Sequence, residues 1–205
     1  METNRKAHWE NVFEKKAENE VSWYQPNPES SLQLFKDNKI SKNAKIIEIG
    51  GGDSYLIDHL LDLGYENLSV LDISEHAIIR LKQRLGAKAE KVNFIVSDIL
   101  DFSPEEQYDV WHDRASFHFL TEENDIKKYV ELASNSIVSQ GNLFMATFST
   151  SGPLKCSGLE ITQYDESKME TLFENKFHKQ NCFTINHETP FNTSQNFIFC
   201  SFIKK

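Results

Sequence analysis

Three consecutive glycines flanked by carboxylates, in Glu48-Ile49-Gly50-Gly51-Gly52-Asp53-Ser54, are the residues of this chain best suited to hold a ligand. Glycine tolerates positive φ and has no side chain, so a Gly-rich turn between a strand and a helix lets backbone approach a ligand closely. Two ligand classes use such a turn. A dinucleotide site takes G-x-G-x-x-G, the third glycine allowing helix to pack on strand while the pyrophosphate sits on the helix N-terminus. Here that third position is Tyr55. Glu48 and Asp53 are also poor neighbours for a doubly negative pyrophosphate and suit a ligand that carries a sulfonium and an ammonium.

Later carboxylates extend the pattern. Asp72 ends a second apolar run, 20 residues after Gly52, where its two oxygens can accept from both ribose hydroxyls. Asp98 follows a third run and is placed to accept from an adenine amino group, with Ile73 and Ile99 as flat apolar walls. Taken alone, an acidic residue at a strand end is more often a helix cap or a solvated charge. A second cluster, Trp111-His112-Asp113-Arg114-Ala115-Ser116-Phe117-His118, follows a fourth run. His112, Asp113 and His118 are its candidate bases, and Arg114 is a candidate clamp for an anion. The plainer reading pairs Asp113 with Arg114 and leaves His118 as a structural histidine. Their spacing matches no strong metal-ligand motif, so no metal is expected.

The elements that must position these residues are short apolar runs alternating with segments of helical period, the signature of βαβ units around a parallel sheet. Strands are expected over 45–50, 68–71, 93–97, 108–112 and 142–148. Helices are expected over 55–63, closed by Gly64; from an N-cap at Ser74 to Leu85, closed by Gly86; and over 125–138, before a Gln140-Gly141 turn. Beyond these, 165–174 reads as a helix, and 177–187 and 196–203 read as an antiparallel pair at a sheet edge. The first forty residues carry Trp9, Phe13, Trp23, Tyr24 and Phe35 among charges. Trp9, Phe13 and Phe35 suit a pair of helices packed on a core. Trp23-Tyr24-Gln25-Pro26, between those helices, suits a segment folded over a ligand.

Composition bounds the rest. The 205 residues, 39% hydrophobic and 26% charged, describe one globular domain, with 1–40 as a helical lid and 45–205 as the core. No run reaches the roughly 18 apolar residues of a membrane helix, and no secretory signal is visible, so a soluble cytoplasmic protein is expected. Cys156, Cys182 and Cys200 are an odd number without metal-type spacing, so each is expected to be a small buried thiol. A net charge of −9, from 31 acidic and 22 basic residues, argues against nucleic acid as a partner.

On Glu48, Gly50 and Gly52, with Asp72 and Asp98 in register behind them, the chain resembles the class I S-adenosylmethionine-dependent methyltransferases from about Lys45 onward. Their first motif is (D/E)xGxGxG, and Ser54 stands at its last glycine. The resemblance implies an α/β Rossmann-like, doubly wound sheet of seven strands in the order 3-2-1-4-5-7-6, strand 7 antiparallel. It also implies S-adenosylmethionine as cofactor and S-adenosylhomocysteine as product. Cofactor contacts are implied at Glu48, Gly50, Gly51, Gly52, Ser54, Asp72, Ile73, Asp98, Ile99 and His112, with Trp23 and Tyr24 from the lid. The chain lacks the (N/D)PP(Y/F) sequence of enzymes that methylate nucleic-acid bases or protein glutamine. Asp113-Arg114-Ala115 instead looks like the D-R-(G/A) triplet of the thiopurine methyltransferase branch, and 152–164 looks like that branch's substrate loop. Likeness to this branch implies a small-molecule acceptor, a thiol, metalloid or similar nucleophile, in a monomer or homodimer with Asp113, Arg114 and His118 as catalytic candidates. At 205 residues, no added recognition domain is expected. The alternatives are a protein lysine methyltransferase and a non-catalytic cofactor-binding homologue.

Overall fold

The computed structural model describes residues 5–205, so the first four residues of the expected lid lie outside it. It forms two compact units: residues up to Phe102 together with Thr189–Phe191, and Ser103–Glu188 together with Asn192–Lys205.

The first unit begins with helices α1 (Arg5–Lys15) and α2 (Glu29–Asp37), joined through a single 3-10 turn at Glu18–Glu20. Strand β1 (Lys45–Ile49), helix α3 (Leu56–Asp62), strand β2 (Asn67–Asp72), helix α4 (Glu75–Leu85) and strand β3 (Val92–Val96) come next. These strands pair in parallel, Ile47 beside Ser69 and Val70 beside Phe94. Ile46, Ile47, Ile49, Leu68 and Val70 are buried, the near-continuous apolar run of strands covered on both faces. The Ser74 side chain accepts from the Ala77 N–H, as an N-cap should, and Gly86 leaves α4 at φ +56°. Phe13 and Phe35 are buried as expected, whereas Trp9, Trp23 and Tyr24 are half-buried.

The second unit contains β4 (Tyr108–Arg114), α5 (Glu123–Ser136), β5 (Ile137–Phe148), a hairpin of β6 (Lys155–Cys156) and β7 (Leu159–Glu160), α6 (Glu166–Phe173), β8 (Phe177–Glu188) and β9 (Ser194–Lys204). Helix α5 stops two residues short of the expected Val138. The expected Gln140-Gly141 turn is instead taken into β5, where β4 pairs across a register shift between Tyr108 and Val110 and Gln140 has φ +64°. Strand β9 runs antiparallel to both β5 and β8. A core of phenylalanines joins these elements: Phe173 lies 5.9 Å from Phe177, 5.2 Å from Phe202 and 6.0 Å from Phe117.

The seven main strands take the order β3-β2-β1-β4-β5-β9-β8. This is the expected doubly wound topology with one antiparallel strand; the short β6–β7 hairpin shifts the numbering of the last two strands. The expectation of three free thiols is corrected. Cys182 and Cys200 face each other across β8 and β9, with Cα atoms 4.2 Å apart, and are disulfide-bonded, while Cys156 is buried outside any disulfide. Spacing could not reveal this, because the pairing of two strands brings together cysteines 18 residues apart. Among the described residues no helix is long and apolar enough to cross a membrane. Because Phe173 is fully buried among three other rings, Phe173→Ala should lower the unfolding free energy by about 3–5 kcal/mol in urea titrations.

Candidate functional site

The Gly-rich turn crosses the end of β2 with no room for a side chain. A Cβ on Gly51 would lie 2.7 Å from Val70 Cγ1 and 3.2 Å from the Glu48 side chain; one on Gly52, whose φ is +35°, would lie 2.9 Å from Asp72 Oδ2. Glycine is therefore demanded by close approach as well as by φ. The Gly51 N–H donates to Leu71 O, which pins the turn to β2. Glu48 is buried beneath this turn, and the Ser54 hydroxyl accepts from the Leu56 N–H at the start of α3.

Asp72 is 5% exposed. Its Oδ1 accepts from the Ser74 N–H at 2.8 Å. Burial pushes its carboxyl up to about 7, against the lowering effect of backbone N–H groups of Ser74 and Gly52 and with the help of nearby Asp53 and Glu10. Ile73 is half-buried and Ile99 buried. Asp98 is engaged on both oxygens: Oδ1 accepts from the Leu100 N–H and Oδ2 lies 3.2 Å from Arg5 of α1.

Asp53 departs from its expected part in the field around the turn. Its carboxylate is ion-paired with Arg80 at 2.8 Å, so it neutralises a helix side chain rather than facing a ligand cation. A second arginine one helical turn along α4, Arg84, donates to the carbonyls of Asp53 (3.0 Å) and Ser54 (2.5 Å) and pairs with Asp58. Its guanidinium stacks 4.0 Å over the Tyr55 ring, whose hydroxyl donates to Glu18. Tyr55, at the position a dinucleotide motif reserves for glycine, thus ties the turn to the N-terminal segment.

That segment packs directly on the turn. The Phe13 ring approaches within 3.1 Å of the space a Gly52 Cβ would occupy. It belongs to an aromatic cluster with Trp9 (6.3 Å) and Trp23 (6.3 Å), and Tyr24 lies 6.1 Å from Tyr55. Two polar latches hold α1 in place. Glu10 accepts from the Ser74 hydroxyl, the backbone N–H groups of Glu75 and His76, and the His76 ring, all at the N-terminus of α4. Partial burial pushes this carboxyl up, but those donors prevail and hold it at about 2. At the other end, Arg80 donates to the carbonyls of Phe13 and Lys16. No motif in the sequence marks Glu10, Arg80 or Arg84 for these parts. The i, i+4 arginine pair on α4 is their only visible trace there.

In the second unit, alternation along β4 separates the catalytic candidates. Asp113 and Trp111 share one face, His112 and Arg114 the other. Asp113 is fully buried, and its carboxylate accepts from the Tyr129 hydroxyl (2.7 Å) and from the backbone N–H groups of Ser116 and Phe117. Trp111 Nε1–H in turn donates to Tyr129. Burial pushes Asp113 up to about 6, opposed by these three donors. It is spent on shaping the turn after β4, and the expected Asp113–Arg114 pairing is ruled out by their opposite faces.

His118 is fully buried and stacks on Phe148 at 4.6 Å. Its Nδ1 accepts from the Phe148 N–H, and its Nε2 has no hydrogen-bond partner among the described residues. Burial, then the charge of Arg114, lowers both His118 and His112 to about 3. The Arg114 guanidinium lies 5.2 Å over the Phe197 ring. The expected substrate loop forms the β6–β7 hairpin, turning at Ser157-Gly158 with φ of +50° and +80°. Among the described residues no group of three potential ligands could hold a metal ion.

Residues 47–143 match the family model of a methyltransferase domain. The mouse eEF1A lysine and N-terminal methyltransferase is 30% identical over 122 residues, which are 58% of this chain and 17% of that protein. Malonyl-[acyl-carrier protein] O-methyltransferase 2 of Ilyobacter polytropus is 32% identical over 108 residues, which are 52% of this chain and 39% of that protein. The chain thus spans well under half the length of these curated relatives. In fold, it is similar to the N-methyltransferase NodS of Bradyrhizobium japonicum in complex with S-adenosyl-L-homocysteine, with a TM-score of 0.75 at 16% identity, covering 95% of this chain and 97% of that one. Residues 47–143 are thus similar to a methyltransferase domain, and the chain shares its fold with a methyltransferase.

Two variants probe these frameworks. Tyr129→Phe removes the hydroxyl that serves Asp113 and Trp111 and should cost about 1–3 kcal/mol in chemical unfolding. Glu10 has a folded pKa near 2, below its ordinary value of 4.5, so its contribution is present above pH 4.5 and fades as pH falls toward 2. The stability gap between wild type and Glu10→Gln should accordingly shrink between pH 5 and pH 3.

Proposed function

We propose that this chain transfers a methyl group from S-adenosylmethionine to a small-molecule nucleophile, a thiol, metalloid or similar acceptor, leaving S-adenosylhomocysteine. The observation that carries the donor half is the side-chain-free turn at Gly51 and Gly52 above the buried carboxyl of Asp72. These residues fit the cofactor: a Cβ would fill the cradle, and Asp72 supplies two acceptors for a ribose. When bound, S-adenosylmethionine supplies a methyl group on a sulfonium, open to in-line displacement. The chain's part is then chiefly to bind, align and keep out water. Asp72 holds the sugar, Glu48 sets the negative field under the turn, and the aromatic cluster of Trp9, Phe13 and Trp23 covers the turn. Further cofactor contacts proposed are Ser54, Tyr24, Ile73, Asp98, Ile99 and His112, Asp98 on the condition that Arg5 yields its carboxylate to the ligand.

The acceptor half rests on Arg114, on the opposite face of β4 from Asp113, and on His118 in the 3-10 turn that follows this strand. Asp113 acts as a positioning residue for the turn that carries His118. A protein lysine acceptor is the second reading, favoured by the mouse relative that acts on eEF1A. A cofactor-binding homologue without turnover is the third. Incubation with methyl-labelled donor and either a panel of thiols and oxyanions or a cell lysate separates them. Label in small products supports the first reading, label in a protein band the second, and binding without turnover the third.

The donor site has a pH signature. Asp72 carries a proton below about pH 7 in the free protein, and accepting from both ribose hydroxyls requires the ionised form. Calorimetric affinity for S-adenosylhomocysteine should fall by up to about 10-fold per unit as pH drops below 7, and Asp72→Asn should flatten that slope. Gly50, at φ +61°, tolerates no side chain without strain, so Gly50→Arg should weaken binding. Unchanged affinity in both Gly50→Arg and Asp72→Ala would sink the donor assignment.

A further inference from the structure

We propose that a groove between α2 and the end of α3 docks an acidic peptide segment of a partner protein, an apolar side chain seated in the groove and its carboxylates on Lys36, Lys39 and Lys42. The groove has a volume of about 360 Å³. It lies within the first unit and takes no part in the proposed methyl transfer, so the inference stands apart from that reading.

Local chain signals build its walls. Glu29, Leu32, Gln33 and Lys36 recur at i, i+3, i+4 and i+7, which puts them on one face of α2. Past the helix, the Lys39 N–H donates to Lys36 O and the Ile40 N–H to Phe35 O, the pair of bonds that turns a chain back at a helix C-terminus. Lys39 takes φ +51° in this turn, and Lys39, Ile40 and Lys42 line the same groove. Leu63, directly after α3, and Tyr65 complete it. Tyr65 is buried, its ring 5.8 Å from Phe35 and its hydroxyl donating to Ile40 O at 3.4 Å. Leu63 is 53% exposed, and Leu32 and Ile40 are half-buried.

A single exposed leucine is ordinary on a protein surface. The charge beside this one is not. Lys36, Lys39 and Lys42 are exposed, and among the described residues none of their ammonium groups is in an ion pair. The Lys42 ammonium sits 3.8 Å over the Tyr65 ring, a contact that holds it at the groove without neutralising it. By contrast Lys88, Lys127, Lys155, Lys176 and Lys179 are each paired with a carboxylate. On a chain of net charge −9, a groove lined by three lysines and one glutamate is a local reversal of sign.

This arrangement matches a protein contact more closely than the alternatives. A small-molecule site fixes its ligand with polar groups converging in its depth, whereas here the Tyr65 hydroxyl is engaged by Ile40 and the charges stand at the rim. An apolar centre inside a polar rim is the anatomy of a protein interface. A nucleic-acid backbone or an anionic membrane meets the field of the whole acidic chain, while a short peptide meets chiefly the lysines. Lys42 precedes β1 and Tyr65 precedes β2, whereas the glycine turn follows β1 and Asp72 ends β2. Groove and turn are thus at opposite ends of the same two strands, about 16 Å apart at roughly 3.3 Å per residue. Docking leaves the turn open.

The test titrates the full chain into a fluorescein-labelled peptide with three acidic residues on each side of Leu-Phe-Leu. Beside it run the same peptide with lysines for the acids, the same peptide with serines for Leu-Phe-Leu, and phosphatidylglycerol vesicles. Saturable anisotropy is expected for the acidic apolar peptide, weakening between about 50 and about 500 mM salt as exposed charges are screened. Lys36→Glu, Lys39→Glu and Lys42→Glu together should weaken it about 10-fold or more. Leu63→Ser alone should weaken it about 3-fold or more. Thermal melts verify that both variants fold; should the lysine variant unfold, Leu63→Ser and the salt dependence decide. Saturating S-adenosylhomocysteine should leave the affinity unchanged. Absence of saturation by about 1 mM protein overturns the inference, as does equal binding of the lysine or serine peptide, an affinity that neither variant alters, or displacement by S-adenosylhomocysteine. Vesicle binding without peptide binding overturns it in favour of a lipid surface.

Discussion

Backbone can turn across the end of a neighbouring strand only where no Cβ stands in the gap. At Gly51 that gap is closed by Val70 and Glu48, and at Gly52 by the carboxyl of Asp72 and the ring of Phe13. The remainder of the first unit is arranged around this contact. Because the turn lies so close to β2, Asp72 is sealed beneath it and its carboxyl is pushed toward neutrality. The same closeness lets arginines on α4 reach over the turn and hold its carbonyls. A side chain at either glycine would separate the strands' ends and the clamp together.

The arginines convert a flexible glycine run into a rigid one. Three glycines in sequence carry a large conformational entropy, which opposes any single geometry. Arg84 and Arg80 offset this with charged donors to Asp53 and to backbone carbonyls in a half-buried setting, where such bonds are stronger than neutral ones. Their partners extend to Glu18, Phe13 and Lys16, so one helix organises both the turn and the segment that covers it. Glu10 completes the link at the helix's positive end.

In the second unit the alternation of β4 divides labour between neighbours in sequence. Asp113 goes to the face where Tyr129 and Trp111 satisfy it, and fixes the turn that delivers His118. Arg114 goes to the face of phenylalanines and histidines. Adjacent residues of opposite charge would pair in a loop; in a strand they point apart.

Much of the frame was legible in the residues. Apolar runs of five or six, Gly64 and Gly86 after helical periods and Ser74 as a cap located the parallel strands and their helices, because these signals act over a few residues of chain. The glycine turn with Asp72 behind it was legible for the same reason. The roles of Asp53, Asp98 and Asp113 were not, since each depends on a donor supplied by a different element: Arg80, Arg5 and Tyr129. Nor was the Cys182–Cys200 bond, which needs the β8–β9 register. The sequence by itself determined the α/β order and where backbone could meet a ligand. Only the tertiary structure decided which charges are satisfied internally and which face outward, because a carboxylate's or an imidazole's chemistry is set by the donors around it, and those come from residues far away in the chain.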